Sequence, residues 1–429
     1  MLPVDEQMRL LMRGVEYGDE HIRATMDQEL RECLAEGRPL RVYLGVDPSA
    51  PDLTLGHTVP MYKLRQFQDL GHETVFLIGN FTGLVGDPSD KDTRRPILTP
   101  AELEANARTY TEQAFKVLDP ERTIIDYNAN WLGKLTFADL IQVASNFTVG
   151  QFLQRENFAL RRERGDPIYL HEFFYALMQG YDAVALHCDA QVGGTDQLFN
   201  IMAGRTLQRA YGQRPQVPVC VPILVGTDGR LRMSKTQGNH IALTDPPDEM
   251  YGKVMSLPDH LIVDYFTLVT RVPAEELEEI GRQLQERSVN PMELKKRLAR
   301  EIVGQYHSPE ATESAQQEFE RVFQRREAPK ESAIEVPWSE LPFAPPDMPK
   351  DLFGTQPFPP LGKGGPVLLM TLLSRSLGIS MSEARRLAAR GAVEVDGKVA
   401  RGPTINVRPG SVIRVGKHRF LRIVDTDKE

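Results

Sequence analysis

The stretch from Tyr43 to His57 carries residue types that could hold a nucleoside triphosphate. It reads YLGVDPSAPDLTLGH, which is an apolar β-prone run, a glycine-containing loop and the start of a helix. The first turn of a helix has unpaired backbone N–H groups and the positive end of the helix dipole, and both attract phosphates. Gly56 lets a ligand approach the backbone, and His57 supplies a hydrogen-bond donor. A turn glycine beside a surface histidine would look the same, so this stretch alone leaves both interpretations open.

A second stretch, LVGTDGRLRMSKT at residues 224–236, predicts a strand, a tight turn and a small basic loop. A mobile loop that carries Arg232 and Lys235 suits the departure of pyrophosphate. Negative charge develops on that leaving group, and cations that close over it would stabilise it.

These two stretches resemble the HIGH and KMSKS signatures of class I aminoacyl-tRNA synthetases. Nearly the whole chain is similar to the bacterial tyrosyl-tRNA synthetases, and three further motifs and a C-terminal S4-type RNA-binding module carry the resemblance. The motifs are GDPS at 86–89, YALMQGYD at 175–182 and GGTDQ at 193–197. The resemblance implies an enzyme that activates L-tyrosine with ATP and transfers it to tRNA(Tyr). It also implies a homodimer.

Two residues depart from the pattern of that family. Thr54 stands where the first His of the signature usually is, and Arg232 where the first Lys usually is. A threonine hydroxyl still donates one hydrogen bond but carries no charge, whereas arginine keeps the cation in a planar fork. We expect altered rates and the same reaction type.

Three polar residues, Tyr175, Gln179 and Asp182, are spaced so that a helix over about 172–186 presents them on one face. Buried polar groups are costly unless something satisfies them, so either other protein groups or a substrate must meet them. By resemblance, Asp182 accepts the phenolic proton of tyrosine and Tyr43 donates to the same oxygen. The whole predicted tyrosine-binding set is Tyr43, Asp87, Tyr175, Gln179, Asp182 and Gln197.

The resemblance implies that the tyrosine carboxylate attacks the α-phosphate of ATP, so catalysis consists of positioning and charge stabilisation. Mg²⁺ would accompany ATP, held by phosphate oxygens and water, and we expect no structural metal. The predicted catalytic residues are Thr54, His57, Arg232, Lys235, Lys91 and Arg95. The predicted ATP-binding residues are Gly45, Asp47, Ser49, Gly56, His57, Gly194, Asp196 and Lys235.

Two other functions remain open. Tryptophanyl-tRNA synthetase shares the implied fold, although the polar set around Asp182 and the S4-type module argue against it. An RNA-binding paralogue that has lost aminoacylation is the other, because Thr54 and Arg232 depart from the signatures.

Composition indicates a non-membrane protein with RNA as a partner. The longest apolar run, residues 367–373, is too short to span a bilayer, and residues 1–20 lack a signal-peptide pattern, so we expect a cytoplasmic protein. Three widely separated cysteines indicate neither disulfides nor a zinc site. Residues 364–429 carry a net charge of +6, although the whole chain carries −8. On one helix there, the predicted RNA-binding residues are Arg385, Arg386 and Arg390.

The fold class predicted from these patterns is α/β. Residues 1–240 would form a Rossmann-like parallel-sheet catalytic domain, with an inserted helical hairpin at about 131–165 through which, by resemblance, the chain dimerises. Residues 241–335 would be an α-helical domain, which by resemblance faces the anticodon arm of the tRNA. Eight prolines between 337 and 360 predict a linker over 336–363. Residues 364–429 would be a small α+β S4 domain.

Overall fold

A computed structural model describes residues 2–89, 99–324, 333–344, 366–416 and 419–425. The chain divides into two compact units, 1–312 and 313–429. The strands of the first unit are β1 (Arg41–Val46), β2 (Glu73–Ile78), β3 (Thr123–Tyr127), β4 (Ala190–Gly194) and β5 (Val217–Val221). Its helices are α1 (Val4–Leu11), α2 (Glu20–Ala35), α3 (Leu55–Asp69), α4 (Pro100–Ala114), α5 (Ala129–Leu132), α6 (Phe137–Ala144), α7 (Val149–Leu153), α8 (Glu156–Arg164), α9 (Leu170–Leu186), α10 (Leu198–Ala210), α11 (Pro247–Met255), α12 (Ile262–Val269), α13 (Ala274–Glu286) and α14 (Pro291–Tyr306).

A parallel sheet in the order β3-β2-β1-β4-β5 forms the centre of the first unit, which confirms the predicted α/β class. Strands β2, β4 and β5 are short and almost wholly buried, as strands covered on both faces by helices must be, whereas β3 at one edge of the sheet is partly exposed. After β1 the chain adds β2 and β3 on one side of that strand, and it then adds β4 and β5 on the other side. A crevice therefore opens between the carboxyl ends of β1 and β4, where sheets of this kind bind ligands.

Two helices border this crevice. Helix α3 begins directly after the loop that follows β1, with Thr54 as its N-cap. Helix α9 covers residues 170–186, close to the predicted range, and ends where His187 adopts a left-handed conformation with φ of 48°. Its apolar side packs on α10 through Ala176, Leu177 and Ala203.

The inserted segment at 131–165 contains the end of α5 and the short helices α6 to α8, and their arrangement as a hairpin stays a prediction. Thr136 starts α6 and Thr148 starts α7, and each makes a capping box with a polar side chain three residues later. Such caps stop one helix and start the next, because the threonine hydroxyl satisfies an N–H group that continuous helix would have paired.

Helices α11 to α14 follow the sheet in sequence and belong to the same compact unit. Pro246, Pro273 and Asn290 occupy the N-cap positions of α11, α13 and α14, and α11 and α14 also have a proline in the first turn. Helix α15 (Pro309–Phe319) crosses the boundary between the units. Within the described ranges, none of the helices has both the length and the apolar character needed to cross a membrane.

The second unit is a small α+β module, as predicted. Its elements after α15 are β6 (Ala333–Pro337), β7 (Val367–Leu368), α16 (Leu369–Leu377), α17 (Met381–Ala389), β8 (Val393–Val395), β9 (Lys398–Val399), β10 (Thr404–Ile405), β11 (Val412–Val415) and β12 (Arg419–Val424). Ser380 caps α17, and strands β8 and β9 form the expected hairpin. Asp396 and Gly397 both have positive φ in its turn, as an Asp-Gly hairpin requires.

The start of the predicted linker belongs to this module. Strand β6 pairs with β12 in parallel register, and Val336 and Leu341 lie in the hydrophobic core of the module. The linker was predicted from the number of prolines alone. That number takes no account of the apolar side chains among residues 333–343, which can be buried at a sheet edge and in a core. Residues 345–363 of the predicted linker lie outside the described residues, and the exact domain boundaries stay predictions.

Candidate active site

A cleft of about 490 Å³ lies at the carboxyl ends of the parallel strands. It is bordered by the loop after β1, the start of α3, one face of α9 and the loop after β5. The structure brings together here every predicted tyrosine-binding and ATP-binding residue, and four of the six predicted catalytic residues. The other two, Lys91 and Arg95, lie outside the described residues.

Asp182 forms one end of the cleft and is 3% exposed. Trp131 Nε1 donates to its Oδ1 at 2.7 Å, and Asn128 Nδ2 donates to its Oδ2 at 3.2 Å. Burial raises the pKa of Asp182 to about 8, which these two donors oppose and the nearby charges of Asp47 and Asp126 reinforce. The carboxyl group is thus held in place and poised to change protonation near neutral pH.

Tyr43 lies next to this carboxyl group in the sheet, with no exposed surface. Its hydroxyl is buried and lies within reach of the Gln216 side chain, but it makes no hydrogen bond of normal geometry with the described residues. Burial raises the pKa of Tyr43 well above its ordinary value, the charges of Cys188 and Asp182 add to this rise, and the Gln216 side chain opposes it. A buried hydroxyl without a partner is costly, and a ligand oxygen in the cleft could satisfy it.

The other polar residues of α9 face the same cleft one and two turns earlier. Tyr175 is buried and its hydroxyl donates to Asp47 Oδ2 at 3.0 Å. Asp47 Oδ1 in turn accepts from Thr82 Oγ1 at 2.7 Å. Gln179 lies between Tyr175 and Asp182 and is half-buried. The helical spacing therefore places the predicted stripe on the face that borders the cleft, as expected.

The loop at 86–89 holds Asp87 across from α9. Asp87 is 8% exposed, accepts from the Ser89 N–H at 2.8 Å and accepts from Gln197 Nε2 at 2.6 Å. Two residues of the inserted segment support this loop from behind. Arg155 Nη2 donates to Ser89 Oγ, and Asn157 Nδ2 donates to the Pro88 carbonyl at 2.7 Å.

On the side of α3, Thr54 and His57 contact each other. The Thr54 backbone N–H donates to His57 Nδ1 at 3.1 Å, and the Thr54 hydroxyl lies 2.9 Å from the same nitrogen. Since Nδ1 accepts from a backbone N–H, a neutral imidazole carries its proton on Nε2. Thr54 is only 2% exposed, so its position suits it to orient the histidine.

The basic loop after β5 lies against the start of α3. A Cβ placed on Gly56 would lie 3.7 Å from Met233 Cβ, so the two signature stretches are in contact at this point. Lys235 Nζ lies 3.4 Å from Asp52 Oδ2, and both side chains are partly exposed. An exposed pair of this kind contributes little, and the lysine can leave it for a more strongly charged partner.

One position at the cleft, Gly79, has room only for glycine because two side chains lie against its backbone. A Cβ on Gly79 would lie 2.0 Å from Asp47 Oδ1 and 2.4 Å from Thr82 Oγ1, so no other residue fits there without displacing that hydrogen-bonded pair. The Asp47 carboxylate therefore depends on the bare backbone at the end of β2.

Sequence reasoning missed several residues that contact the predicted set. Trp131 and Asn128 hold Asp182, Thr82 holds Asp47, and Asn239 contacts the basic loop. Asn128 and Thr82 each follow a parallel strand, and residues at carboxyl ends of strands meet at one edge, so these two carried a usable signal. Trp131 carried none, because its contact depends on how α5 packs against α9.

The predicted RNA-binding arginines lie in the second unit. Arg385 and Arg386 are exposed on α17, and Arg390 is exposed as its C-cap residue. Ala384 and Ala388 on the opposite face are buried in the core of the module. The arginines therefore share the solvent side of one helix.

Comparison with known proteins places this chain among named families. The sequence profile of the tRNA synthetases class I (W and Y) matches residues 35–324, and that of the S4 domain matches residues 367–413. The tyrosine–tRNA ligase of Moorella thermoacetica is 48% identical over 98% of this chain and 96% of its own length. That of Carboxydothermus hydrogenoformans is 46% identical over 99% of both chains.

Solved structures share the fold. A C-terminally truncated mitochondrial tyrosyl-tRNA synthetase of Aspergillus nidulans superposes with a TM-score of 0.60 at 23% identity, covering 75% of this chain and 95% of the other. The tyrosyl-tRNA synthetase of Archaeoglobus fulgidus, complexed with L-tyrosine, superposes with a TM-score of 0.58 at 23% identity, covering 73% and 100%.

Proposed function

The chain belongs to the class I tRNA synthetases of the W and Y type, and we propose that within this family it is a tyrosine–tRNA ligase. It joins L-tyrosine to ATP, forming tyrosyl-adenylate and releasing pyrophosphate. It then transfers the tyrosyl group to the 3′ end of tRNA(Tyr) and releases AMP.

The single observation that carries this proposal is the pair formed by Asp182 and Tyr43. A buried carboxyl group and a buried hydroxyl without a partner border one cleft, and a para-hydroxyl ring would satisfy both. The phenol donates to Asp182 and accepts from Tyr43. A phenylalanine ring offers neither group a partner, which is how such sites reject analogues that lack a hydroxyl, and tyrosyl-tRNA synthetase is itself the worked case of this principle. An indole N–H could donate to Asp182 but offers the Tyr43 hydroxyl no acceptor.

The remaining polar residues fit the backbone groups of the substrate. Asp87, Tyr175 and Gln179 would meet the α-ammonium group, since Asp87 is nearly buried and has lone pairs beyond its two hydrogen bonds. Gln197 would lie beside the carboxylate that attacks the α-phosphate.

ATP would occupy the half of the cleft nearer α3. Gly45, Asp47, Ser49 and Gly56 line that half, and Gly194 and Asp196 at the end of β4 would hold the ribose. His57, oriented by Thr54, would donate from Nε2 toward the phosphates. No nucleophilic protein side chain is required, because the tyrosine carboxylate attacks the α-phosphate directly.

Cations would stabilise pyrophosphate as it leaves. Arg232 and Lys235 lie on the loop that contacts the start of α3, and by family resemblance Lys91 and Arg95 join them. Mg²⁺ with ATP would neutralise further phosphate charge. In the described part of the chain no three His, Cys, Asp or Glu side chains cluster as metal ligands, so we assign no protein ligand to it.

A second copy of the chain would pack on the inserted segment. Phe137, Ile141 and Val149 are 78%, 58% and 67% exposed, which is unusual for large apolar side chains that lie close together in sequence. We infer that the chain forms a homodimer through this surface. We also infer that it acts in the cytoplasm, because its proposed substrates are used there. Phe137→Glu should yield monomers in analytical ultracentrifugation.

The test of the proposed function is amino-acid-dependent exchange of labelled pyrophosphate into ATP. Tyrosine should support exchange, and phenylalanine and tryptophan should not. Exchange with tryptophan would identify a tryptophanyl-tRNA synthetase, and no exchange with any amino acid would indicate a paralogue that only binds RNA. Charging of tRNA(Tyr) then tests the second step.

A further inference from the structure

The basic loop that carries Arg232 and Lys235 is closed at its base by backbone hydrogen bonds. Gly226 N donates to the Leu231 carbonyl at 2.8 Å, and Met233 N donates to the Leu224 carbonyl at 2.8 Å. Val225 and Arg232 form an antiparallel bridge between these bonds. The base is therefore a short two-stranded ladder, and such an isolated pair is marginal on its own.

The side chain of Asn239 adds bonds to both sides of this loop. It is 4% exposed, and its Oδ1 accepts from the Ser234 N–H at 2.8 Å. Its Nδ2 donates to the Arg232 carbonyl at 3.1 Å and to Asp228 Oδ1 at 3.0 Å. The turn at 228 and the segment at 232–234 are thus joined through one amide group.

The backbone of Asn239 completes the arrangement. Its carbonyl accepts from Thr227 N at 2.9 Å. A Cβ on Gly226 would lie 2.3 Å from Asn239 Cγ, so the chain approaches the amide as closely as a bare backbone allows. A side chain held on every side in this way has little freedom, and the groups that it bonds share its rigidity.

We infer that Asn239 is a positioning residue for pyrophosphate release. This inference rests on the proposed function, in which Arg232 and Lys235 contact the leaving group. Asn239 bonds the backbone of Arg232 and of Ser234, which is one residue before Lys235. It therefore fixes the backbone positions from which the Arg232 and Lys235 side chains extend. Among the described residues, the side chain of Lys235 is held by a partly exposed contact with Asp52, which it can exchange for a ligand.

The amide cannot be replaced by a carboxylate of the same shape. In Asn239→Asp, one carboxylate oxygen would still accept from Ser234 N. The other would face the Arg232 carbonyl and the Asp228 carboxylate, where three acceptors would meet without a proton between them. The loop should therefore separate from residue 239 while the rest of the cleft is unchanged.

Tyrosine-dependent pyrophosphate exchange and limited trypsin digestion test this inference together. Asn239→Asp should lower kcat for exchange by about 100-fold, as misplacement of groups by roughly 1 Å does. The Kd for tyrosine, measured by equilibrium dialysis, should stay within about twofold because the residues around Asp182 are untouched. Cleavage after Arg230, Arg232 and Lys235 should become faster than in the original protein.

Asp228→Asn provides the matched control and a rescue. Alone it keeps an acceptor for Asn239 and should change little. Combined with Asn239→Asp it returns a donor to the pair, and exchange and trypsin resistance should both recover in part. Unchanged digestion and exchange in Asn239→Asp would overturn the inference, as would an equal loss of tyrosine binding and thermal stability. If the original protein exchanges no pyrophosphate, the proposed function fails, yet digestion still reports whether Asn239 holds the loop.

Discussion

Asp182 is the residue whose protonation the site depends on. Burial raises the pKa of Asp182 to about 8, so in the empty cleft the carboxyl group is mostly protonated at neutral pH. A phenol that donates to it requires the ionised form. Binding of tyrosine therefore releases a proton, and binding that releases a proton strengthens as pH rises.

We expect the Kd for tyrosine to fall as pH rises from 6 to 8, by at most about tenfold per unit, and to level off near pH 8. Equilibrium dialysis at fixed ionic strength measures this dependence. Asp182→Asn has no group that titrates here, so its weaker binding should show no such slope. A wild-type Kd that is constant between pH 6 and pH 8 would contradict the proposed hydrogen bond.

Tyr43 should show opposite effects on stability and on binding. Its buried hydroxyl has no normal partner among the described residues, and such a group costs about 1–3 kcal/mol. Tyr43→Phe should therefore raise Tm by a few degrees. It also removes a donor to the substrate phenol, worth about 1 kcal/mol, so the Kd for tyrosine should rise roughly fivefold.

Tyr17→Phe is a matched control for this prediction. The Tyr17 hydroxyl is buried as well, but it donates to the Pro218 carbonyl at 2.7 Å. Its removal leaves that carbonyl unpaired, so Tm should fall and tyrosine binding should stay the same. A lower Tm for Tyr43→Phe would mean that the hydroxyl already has a partner in the empty protein.

Sequence spacing predicted which residues of α9 share a face, because a helix repeats every 3.6 residues whatever surrounds it. Tyr175, Gln179 and Asp182 could be grouped for that reason. The donor to Asp182 could not be found in this way, since Trp131 lies 51 residues away and reaches it only after α5 packs on α9. The pKa of Asp182 depends on that packing, so it was not predictable either.

At the scale of elements, the inserted helices support the cleft in addition to exposing an apolar surface. Arg155 precedes α8 and Asn157 lies in its first turn, and both bond the loop that carries Asp87. The Arg155 guanidinium also stacks 4.7 Å from the Phe199 ring, which fixes its direction. The loop is thus held from the insertion on one side and by Gln197 on the other.

Asn157→Ala removes the donor to the Pro88 carbonyl and should let Asp87 shift away from the substrate ammonium. The KM for tyrosine in pyrophosphate exchange should rise by about tenfold with kcat nearly unchanged, since in the proposed function Asp87 would hold the ammonium equally before and during reaction. Asn146→Ala is the control, because in the described part of the chain the Asn146 side chain donates to the Gln142 and Val143 carbonyls at the end of α6 and not to the loop at 86–89. A fall in kcat at constant KM would instead assign Asn157 to the transition state.

The positions of the breaks between the inserted helices could not be read from the sequence pattern of that segment. The segment was expected to be helical, and α6, α7 and α8 are the helices that form. The threonines at 136 and 148 begin α6 and α7 through capping boxes. A pattern that is averaged over many residues does not detect a capping box, which consists of only two residues.

At the scale of the whole molecule, charge is divided unequally along the chain. Residues 364–429 carry +6 on a chain of −8, and α17 presents Arg385, Arg386 and Arg390 to solvent. In the proposed function, tyrosine is activated in the cleft of the first unit. Transfer to tRNA also needs the polyanion to be held, and a basic surface in the second unit can do this.

The triple variant Arg385→Ala, Arg386→Ala and Arg390→Ala should separate these two steps. Tyrosine-dependent exchange should be unchanged, and the KM for tRNA in aminoacylation should rise at least tenfold at low salt. For every phosphate that the variant no longer neutralises, the steepness of log affinity against log salt should also fall by about 0.7 to 0.9, so the variant should be less sensitive to salt.

Replacement of Arg408, Arg414 and Arg422, which lie outside α17, is the control and measures how much of the effect belongs to net charge alone. An equal loss of tRNA affinity in both variants would show that the module attracts tRNA through its overall field, and a loss confined to the first would show that α17 contacts the RNA.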